Sequence, residues 1–393
     1  MRGGTYRGKM MDAILPSYTV FAGTAGRCGL YVHTLGLVRG LAEAGHAVTL
    51  ISFQKDFFSE PLKGTGINVV HCPLPDLPSA WQTYRVWSKA VKPFAGTRAV
   101  LCRGVGGASS LSILLALWRR FERVYTIEHG MADLGQIAWG NSAPARTIAR
   151  QVKNRLACAV VHRAIAVSEA TRESVVRVYN FDPLKIVSCH NWVDTDKFRP
   201  DTEQRQKIRD RLCVEHDCFV VGYVGRVVKE KRVDLLINGF ADFKRRNNVS
   251  SRLVIVGVGP LMESLQNLVT ELGISDSVNF VGWVDNPAPW HCAFDVEVLA
   301  GYAESFGLGA IEAMACGTIL LANNKGGTRE FVDHLKNGFI APIERPEDLS
   351  EWLSVIVQKQ KTELDEIKTN ARDMVAINYS YNKKIKTWIS CLD

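Results

Sequence analysis

The sequence predicts an α/β protein made of two successive halves joined near residue 200. Three observations predict it. Short apolar runs alternate with stretches of helical period in both halves. Glycines follow the apolar runs, where a strand hands over to a loop, at Gly23–Gly29, Gly225, Gly257–Gly259 and Gly282. At 393 residues the chain exceeds what a single hydrophobic core usually organises.

In order, residues 12–15 read as a first strand, followed by the loop Gly23-Thr-Ala-Gly26-Arg-Cys-Gly29. A helical pattern through Leu30, Leu37, Val38 and Leu41 closes at Gly45, and Ala47–Ser52 is the next strand. In such a β-loop-α-β unit, glycines stand where the backbone passes close to a ligand. The spacing G-x-x-G-x-x-G is not the dinucleotide fingerprint. Ser52-Phe53-Gln54 also brings no acid to the end of the second strand, which argues against NAD.

Pro73, Pro75 and Pro78 mark a loop before a basic, aromatic helix over Trp81–Lys92. Ala99–Cys102 reads as a strand, Ser109–Trp118 as a buried helix and Arg123–Ile127 as a strand ending at Glu128-His129-Gly130. His129 therefore stands at a strand end, where open α/β sheets bind ligands; a packed structural histidine is the alternative. Residues 143–157 have helical period, with Arg146, Arg150 and Lys153 on one face, either a solvated face or a patch for an anionic surface. Arg163–Val167 is a strand and Ser168–Tyr179 a helix with Ser168 as N-cap. Phe198–Arg199–Pro200 is the linker.

The second half restarts the rhythm with the strand Phe219–Val224, then Gly225-Arg226 and the helical stripe Val233, Leu236, Ile237, Phe240, Phe243. Strands follow at Leu253–Val256, Val278–Val281, Val296–Leu299 and Thr318–Ala322, with a helix running to Gly273 between the first two. A Gly326–Gly327 turn leads into a helix around Thr328–Leu335, and Pro346–Lys361 and Leu364–Ile389 read as helices.

Composition excludes several classes. Hydrophobic residues at 47% and charged residues at 22% describe a globular chain, and no apolar run approaches a membrane span. Met1–Met10 carries Arg2, Arg7 and Lys9 without an apolar core before Pro16, unlike a signal peptide. The ten cysteines show no C-x-x-C pair, as expected of reduced thiols in a cytoplasmic protein. The net charge of +8 is uneven: residues 1–200 hold 25 Lys and Arg against 13 Asp and Glu, and the remainder 23 against 27. A basic first half predicts an anionic partner, either a lipid-linked acceptor or the headgroups of a membrane face. Nucleic acid is not expected, since no stacking or groove-reading motif accompanies the charge.

The chemistry concentrates in Ala300–Gly317. Glu304 lies in a loop, a helix begins near Phe306–Gly307, and Glu312 follows about two turns in. A helix entered through glycine offers unpaired N–H groups and a positive dipole end to a phosphate. Carboxylates on either side suit a ligand with sugar hydroxyls flanking that phosphate. Arg226 and Lys231 stand at the mouth of the second sheet, where fixed cations would stabilise a departing diphosphate. The plain alternative makes all four solvated surface charges.

These motifs resemble a known family. Gly225-Arg226 through Lys231 is similar to the G-R-x-x-x-x-K motif of retaining GT-B glycosyltransferases of family 4, and Glu304–Glu312 to their E-x7-E motif. The first glycine loop, His129-Gly130, the segment from Val167 and Asn191–Asp194 fall in that family's order. The resemblance implies the GT-B fold, two Rossmann-like domains facing each other across a cleft. These would be residues 1–198 on the acceptor side and 199–374 on the nucleotide-sugar side, with a C-terminal helix at about 375–393 packing back on the first. It implies that Arg226 and Lys231 hold the diphosphate, that Glu312 binds ribose hydroxyls and that Glu304 sits at the sugar ring. The backbone of Gly307–Leu308 would meet the phosphate, Gly282–Val284 the base, and His129 the sugar, with Gly26 allowing close approach.

No metal and no cofactor are expected beyond the nucleotide sugar itself. The D-x-D of Asp194 and Asp196 resembles the metal carboxylates of another transferase class but lies at the domain junction. Ser305, Trp192 and the bulky Glu297 depart from the family's usual residues. A nucleotide-sugar epimerase using His129 and Glu304 as an acid/base pair, and a non-catalytic nucleotide-sugar-binding subunit, are the alternatives.

Overall fold

The computed structural model describes residues 15–22, 29–53, 57–72, 79–102, 110–132, 152, 155–215, 217–302 and 304–393. Two parallel sheets organise the chain. The first has seven strands in the order β3-β2-β1-β4-β5-β6-β7 and the second six, in the order β10-β9-β8-β11-β12-β13.

In the first sheet β1 (Tyr18–Ala22) is central, between β2 (Val48–Ser52) and β4 (Arg98–Leu101). The strand order reverses between β1 and β4, and that switch point opens at the strands' carboxyl ends. β3 (Asn68–His71), β5 (Val124–Glu128), β6 (Arg163–Ala166) and β7 (Ile186–Ser188) complete it. Helix α1 (Gly29–Glu43) buries Leu37, Val38 and Leu41, α2 spans Ala80–Ala90 and α3 Ser110–Trp118. Helix α4 (Glu169–Tyr179) is capped by Ser168, whose Oγ accepts from the Thr171 N–H at 3.0 Å.

The expected first strand at 12–15 is not where the sheet begins. Residues 12–14 lie outside the described residues, and Leu15 is exposed beside Pro16, which has no N–H to give a ladder. Pairing starts at Tyr18, whose N–H donates to Ala47 O at 2.9 Å. Gly26 and most of the basic segment 143–157 also lie outside the described residues.

After α5 (Thr202–Arg211) the second sheet is built on β8 (Phe219–Val224). Helix α6 (Val233–Arg246), β9 (Ser251–Val256), α7 (Met262–Glu271) and β10 (Val278–Gly282) run to one side. Helix α8 (Ala288–Ala293) precedes β11 (Val296–Leu299), which returns to the other side of β8. Helix α9 (Leu308–Ala315), β12 (Ile319–Asn323) and β13 (Phe339–Ala341) follow. The second switch point therefore lies between β8 and β11.

Two helical expectations are corrected. Thr328–Leu335 is not a helix: a short 3-10 turn spans Gly326–Glu330, and Leu335 has φ of +66°. Asn337 takes the hydrogen bonds a helix would need, accepting from Asp333 N–H at 2.7 Å and donating to Phe331 O at 3.0 Å. The last stretch divides into α11 (Lys361–Asn378) and α12 (Tyr381–Ser390), following α10 (Pro346–Gln358). The break occurs because the backbone at Tyr379–Tyr381 pairs with Val193, with Val193 N–H to Tyr379 O at 2.9 Å and Tyr381 N–H to Val193 O at 3.0 Å.

Helix α12 packs on α1. The Tyr381 hydroxyl donates to Gly36 O at 3.0 Å, and Trp388 Nε1 donates to His190 O at 2.8 Å. Trp192 fills the wedge between them: a Cβ on Gly36 would come within 2.6 Å of its ring, and it stacks on His33 at 4.5 Å. One apolar cluster runs without interruption from Tyr18 and Leu37 through Trp192 to Phe306, Ile311, Met314 and Trp388, so both sheets share part of their core.

Candidate active site

Both loops that flank the second switch point carry charge. The chain leaves β8 through Gly225 and Arg226 into a 3-10 turn at Lys229–Lys231. It leaves β11 through Ala300–Gly307 before α9 begins. The loops touch: Tyr302 N–H donates to Glu230 O at 3.3 Å. Lys231 Nζ donates to Glu304 Oε1, joining two of the expected site residues in an ion pair that is largely screened from solvent. Arg226 instead reaches Glu230 at 3.3 Å, and its side chain is 62% exposed. Beneath them the Tyr223 hydroxyl donates to Arg226 O at 2.7 Å. Burial, and then the charge of Glu304, raise the Tyr223 pKa well above the ordinary value, so this phenol stays neutral.

The loop bearing Glu304 is fixed through its backbone. Gly327 N–H donates to Glu304 O at 2.8 Å. Gly326 has φ of +79°, and a Cβ there would lie 2.1 Å from that carbonyl, so only glycine closes the turn. Ser305 O accepts from two first-half hydroxyls, Ser168 Oγ and Thr171 Oγ1, the latter at 3.1 Å. Glu330 completes the clamp by accepting from the N–H groups of Glu169 and Ala170 at the start of α4, at 2.9 and 2.8 Å. His190 Nε2 lies 2.6 Å from the same carboxylate. Burial opposes its ionised form, but the His190 contact and the helix-terminal N–H groups outweigh burial and lower its pKa.

Gly307, at φ of +97°, admits the chain to α9, where the N–H groups of Leu308 and Gly309 precede the first intrahelical bond. The start of α1 meets this helix across the cleft, with an added Cβ on Gly29 falling 2.8 Å from Leu308 Cδ1. Two helix N-termini therefore converge from opposite halves, a setting that favours an anion. Gly282 and Val284 lie at the end of β10, with Trp283 exposed between them. Gly282 O accepts from Gly257 N–H at 2.8 Å, tying that end to the loop after β9.

Glu312, on the second turn of α9, sits 3.5 Å from His291 Nε2. His129 follows β5 in the first half, with its ring 4.6 Å from that of His33 and no hydrogen-bond partner for Nε2 among the described residues. Burial lowers its pKa to about 3, so its imidazole is neutral. Among the described residues no cluster of His, Cys, Asp or Glu side chains could hold a metal ion. Asp194 caps a turn, its Oδ1 accepting from the N–H groups of Asp196 and Lys197 at 3.1 Å.

A family model described as glycosyl transferases group 1 matches residues 204–374, and one described as glycosyltransferase family 4 matches residues 28–197. The chain belongs to glycosyltransferase family 4. It is 33% identical over 235 residues to D-inositol 3-phosphate glycosyltransferase 2 of Catenulispora acidiphila, 56% of this chain and 54% of that protein. It is 28% identical over 232 residues to an uncharacterized glycosyltransferase of Methanocaldococcus jannaschii, 58% of this chain and 59% of that one. The chain spans about half the length of the curated relatives it matches. Among solved structures, HepE of Anabaena in complex with UDP and glucose superposes with a TM-score of 0.80 at 18% identity, covering 96% of this chain and 99% of that one. The fold is GT-B.

In this family 4 chain, sequence reasoning missed His291 and misjudged Glu297 as a merely bulky residue. The signal was available: a carboxylate between Val296 and Val298, in a strand otherwise apolar, requires a buried partner. The structure supplies it in His291, whose Nδ1 lies 2.6 Å from Glu297 Oε2 with both side chains fully buried.

Proposed function

We propose that this glycosyltransferase moves a sugar from a nucleotide diphosphate donor to an acceptor hydroxyl with retention of anomeric configuration. The observation that carries the reading is the Lys231–Glu304 pair and the exposed Arg226 beside the first turn of α9, all at one switch point. The diphosphate would lie on the N–H groups after Gly307, with Arg226 and Lys231 on its oxygens. Each cation would contribute about 3 kcal/mol toward the charge that develops as the anomeric C–O bond breaks. The acceptor oxygen would attack from the face the diphosphate leaves and pass its proton to the departing phosphate oxygen. Glu304, released from Lys231 by the phosphate, would hold the sugar hydroxyls, with neutral His129 facing them from the first half.

The neighbour HepE was solved with UDP and glucose, which supports a nucleotide sugar as donor. No cofactor and no metal would be needed, since the two cations and the helix terminus supply the positive charge. The epimerase alternative asks His129 to carry a proton near neutral pH, which its buried setting disfavours. The intact charged set argues against a non-catalytic subunit.

The donor is tested by calorimetric titration with UDP- and GDP-sugars in the presence of EDTA. One of them is expected to bind and to yield free nucleotide only when an acceptor is supplied. Strict dependence on a divalent ion, or no donor bound at all, would overturn the reading.

We also propose an anionic or lipid-linked acceptor in polysaccharide or glycoconjugate synthesis, reached by a cytoplasmic protein at the membrane face. The basic first half supports this, and among the described residues no helix is long and apolar enough to cross a membrane. Co-sedimentation with vesicles containing phosphatidylglycerol is expected at low salt and lost at high salt. Equal absence at both would remove the membrane claim.

A further inference from the structure

We propose that Glu297 and His291 are positioning residues for Glu312, forming a buried carboxylate–imidazole–carboxylate relay that keeps the donor-binding carboxylate aimed. The inference rests on the reading of Glu312 as the grip on the donor's ribose. It begins from an anomaly in the strand. Val296 and Val298 face the core of the second half, so Glu297 turns to the opposite face, beneath α8 and α9. An apolar side chain would fill that space without desolvating a charge. Instead Glu297 Oε2 engages His291 Nδ1 at 2.6 Å, while its Oε1 has no partner among the described residues.

His291 is held firmly. Thr318 Oγ1 donates to its carbonyl at 2.5 Å, and the Phe198 ring lies edge-on at 5.9 Å. With Nδ1 committed to Glu297, only Nε2 remains; it faces Glu312 Oε2 at 3.5 Å, a charge contact, and makes no hydrogen bond among the described residues. The other titratable groups around the pair are the thiols of Cys292 and Cys316, on α8 and just after α9, and the Tyr223 phenol on β8.

Burial by itself would make His291 less basic, but Glu297 and then Glu312 raise its pKa to about 10. An imidazolium is therefore present throughout the neutral range. The sign follows from the raised value. The charge on His291 stabilises the fold fully below the ordinary histidine pKa of 6.5, and that contribution is lost as pH rises through about 10. Glu312 thus meets a constant positive charge, and donor affinity should not change across pH 6–8.5.

The Glu297→Gln variant removes the anion that holds the proton while keeping the shape. UDP and GDP affinity, measured by calorimetry from pH 6 to 8.5, is expected to be near wild type at pH 6. It should fall about tenfold by pH 8.5, as His291 deprotonates. A merely structural role would lower thermal stability and leave the pH profile flat, which would overturn the relay. Selective 15N-histidine NMR on the unmodified protein gives a test independent of the variant's folding. His291 should keep both ring protons at pH 8.5, and a neutral His291 there would refute the inference. If the wild type binds neither nucleotide, the donor reading fails. If it binds, and Glu312→Ala abolishes binding while Glu297→Gln matches wild type at every pH, only the relay fails.

Discussion

Lys231→Ala is expected to lower kcat/KM for sugar transfer by about 10²- to 10³-fold, the scale seen when one fixed donor is removed from a developing anion. Two consequences should separate cleanly. The lysine backbone is fixed by its own N–H to Val228 O at 3.0 Å and by the neighbouring Glu230–Tyr302 contact, so the loop should stay in place. Stability should nevertheless fall by about 1–3 kcal/mol, because Glu304, only 9% exposed, loses its hydrogen-bonded counter-charge. Adding Glu304→Gln should recover the thermal midpoint but not the turnover. Steady-state kinetics beside thermal unfolding of both variants decides this. A Lys231→Ala enzyme retaining more than a tenth of its activity would refute the diphosphate role.

Glu304→Ala should separate the sugar from the nucleotide. The carbonyls of Glu304 and Ser305 hold the loop against Gly327, Ser168 and Thr171, so losing one side chain should leave the loop's position intact. Freed of its partner, Lys231 remains available to the phosphate. Affinity for nucleoside diphosphate without sugar should therefore stay equal to wild type or rise. Transfer from the intact donor should drop by about 10²-fold or more, the loss expected for an interaction made mainly in the transition state. Parallel calorimetry and turnover assays read the two effects. Loss of affinity for the bare nucleotide would place Glu304 on the wrong group.

Much of this was legible in the sequence because strands and helices announce themselves by period. The stripe Val233, Leu236, Ile237, Phe240, Phe243 became α6, and Ser168 became the cap of α4. The strands overlooked were β3, β7 and β13, each of three or four residues and too short to show alternation. The false helix at 328–335 and the missed break at Tyr379 both lost their backbone bonds to a competing partner, the local side chain of Asn337 in one case and the distant backbone of Val193 in the other.

At the site, Arg226 was readable as a charge beside a glycine at a strand end, and Lys231, Glu304 and Glu312 by their spacing from it and from the glycine that opens α9. What pairs with what was not. Lys231 with Glu304, Glu312 with His291 and Glu330 with the start of α4 join residues 73, 21 and about 160 positions apart. Sequence spacing carries no information about such contacts. The departures from the family's usual residues proved the most telling positions. Trp192 braces α1 against α12 and Glu297 anchors a buried histidine, whereas at Ser305 only the main-chain carbonyl, which any residue would supply, meets the first half.

The account depends most directly on where a nucleotide diphosphate sits. A crystal structure of the protein grown with UDP or GDP should show phosphate oxygens within hydrogen-bonding distance of the Leu308 and Gly309 N–H groups. Arg226 and Lys231 should turn toward them, and Glu312 should reach the ribose. A nucleotide bound elsewhere, with Lys231 still paired to Glu304 and Arg226 to Glu230, would contradict it.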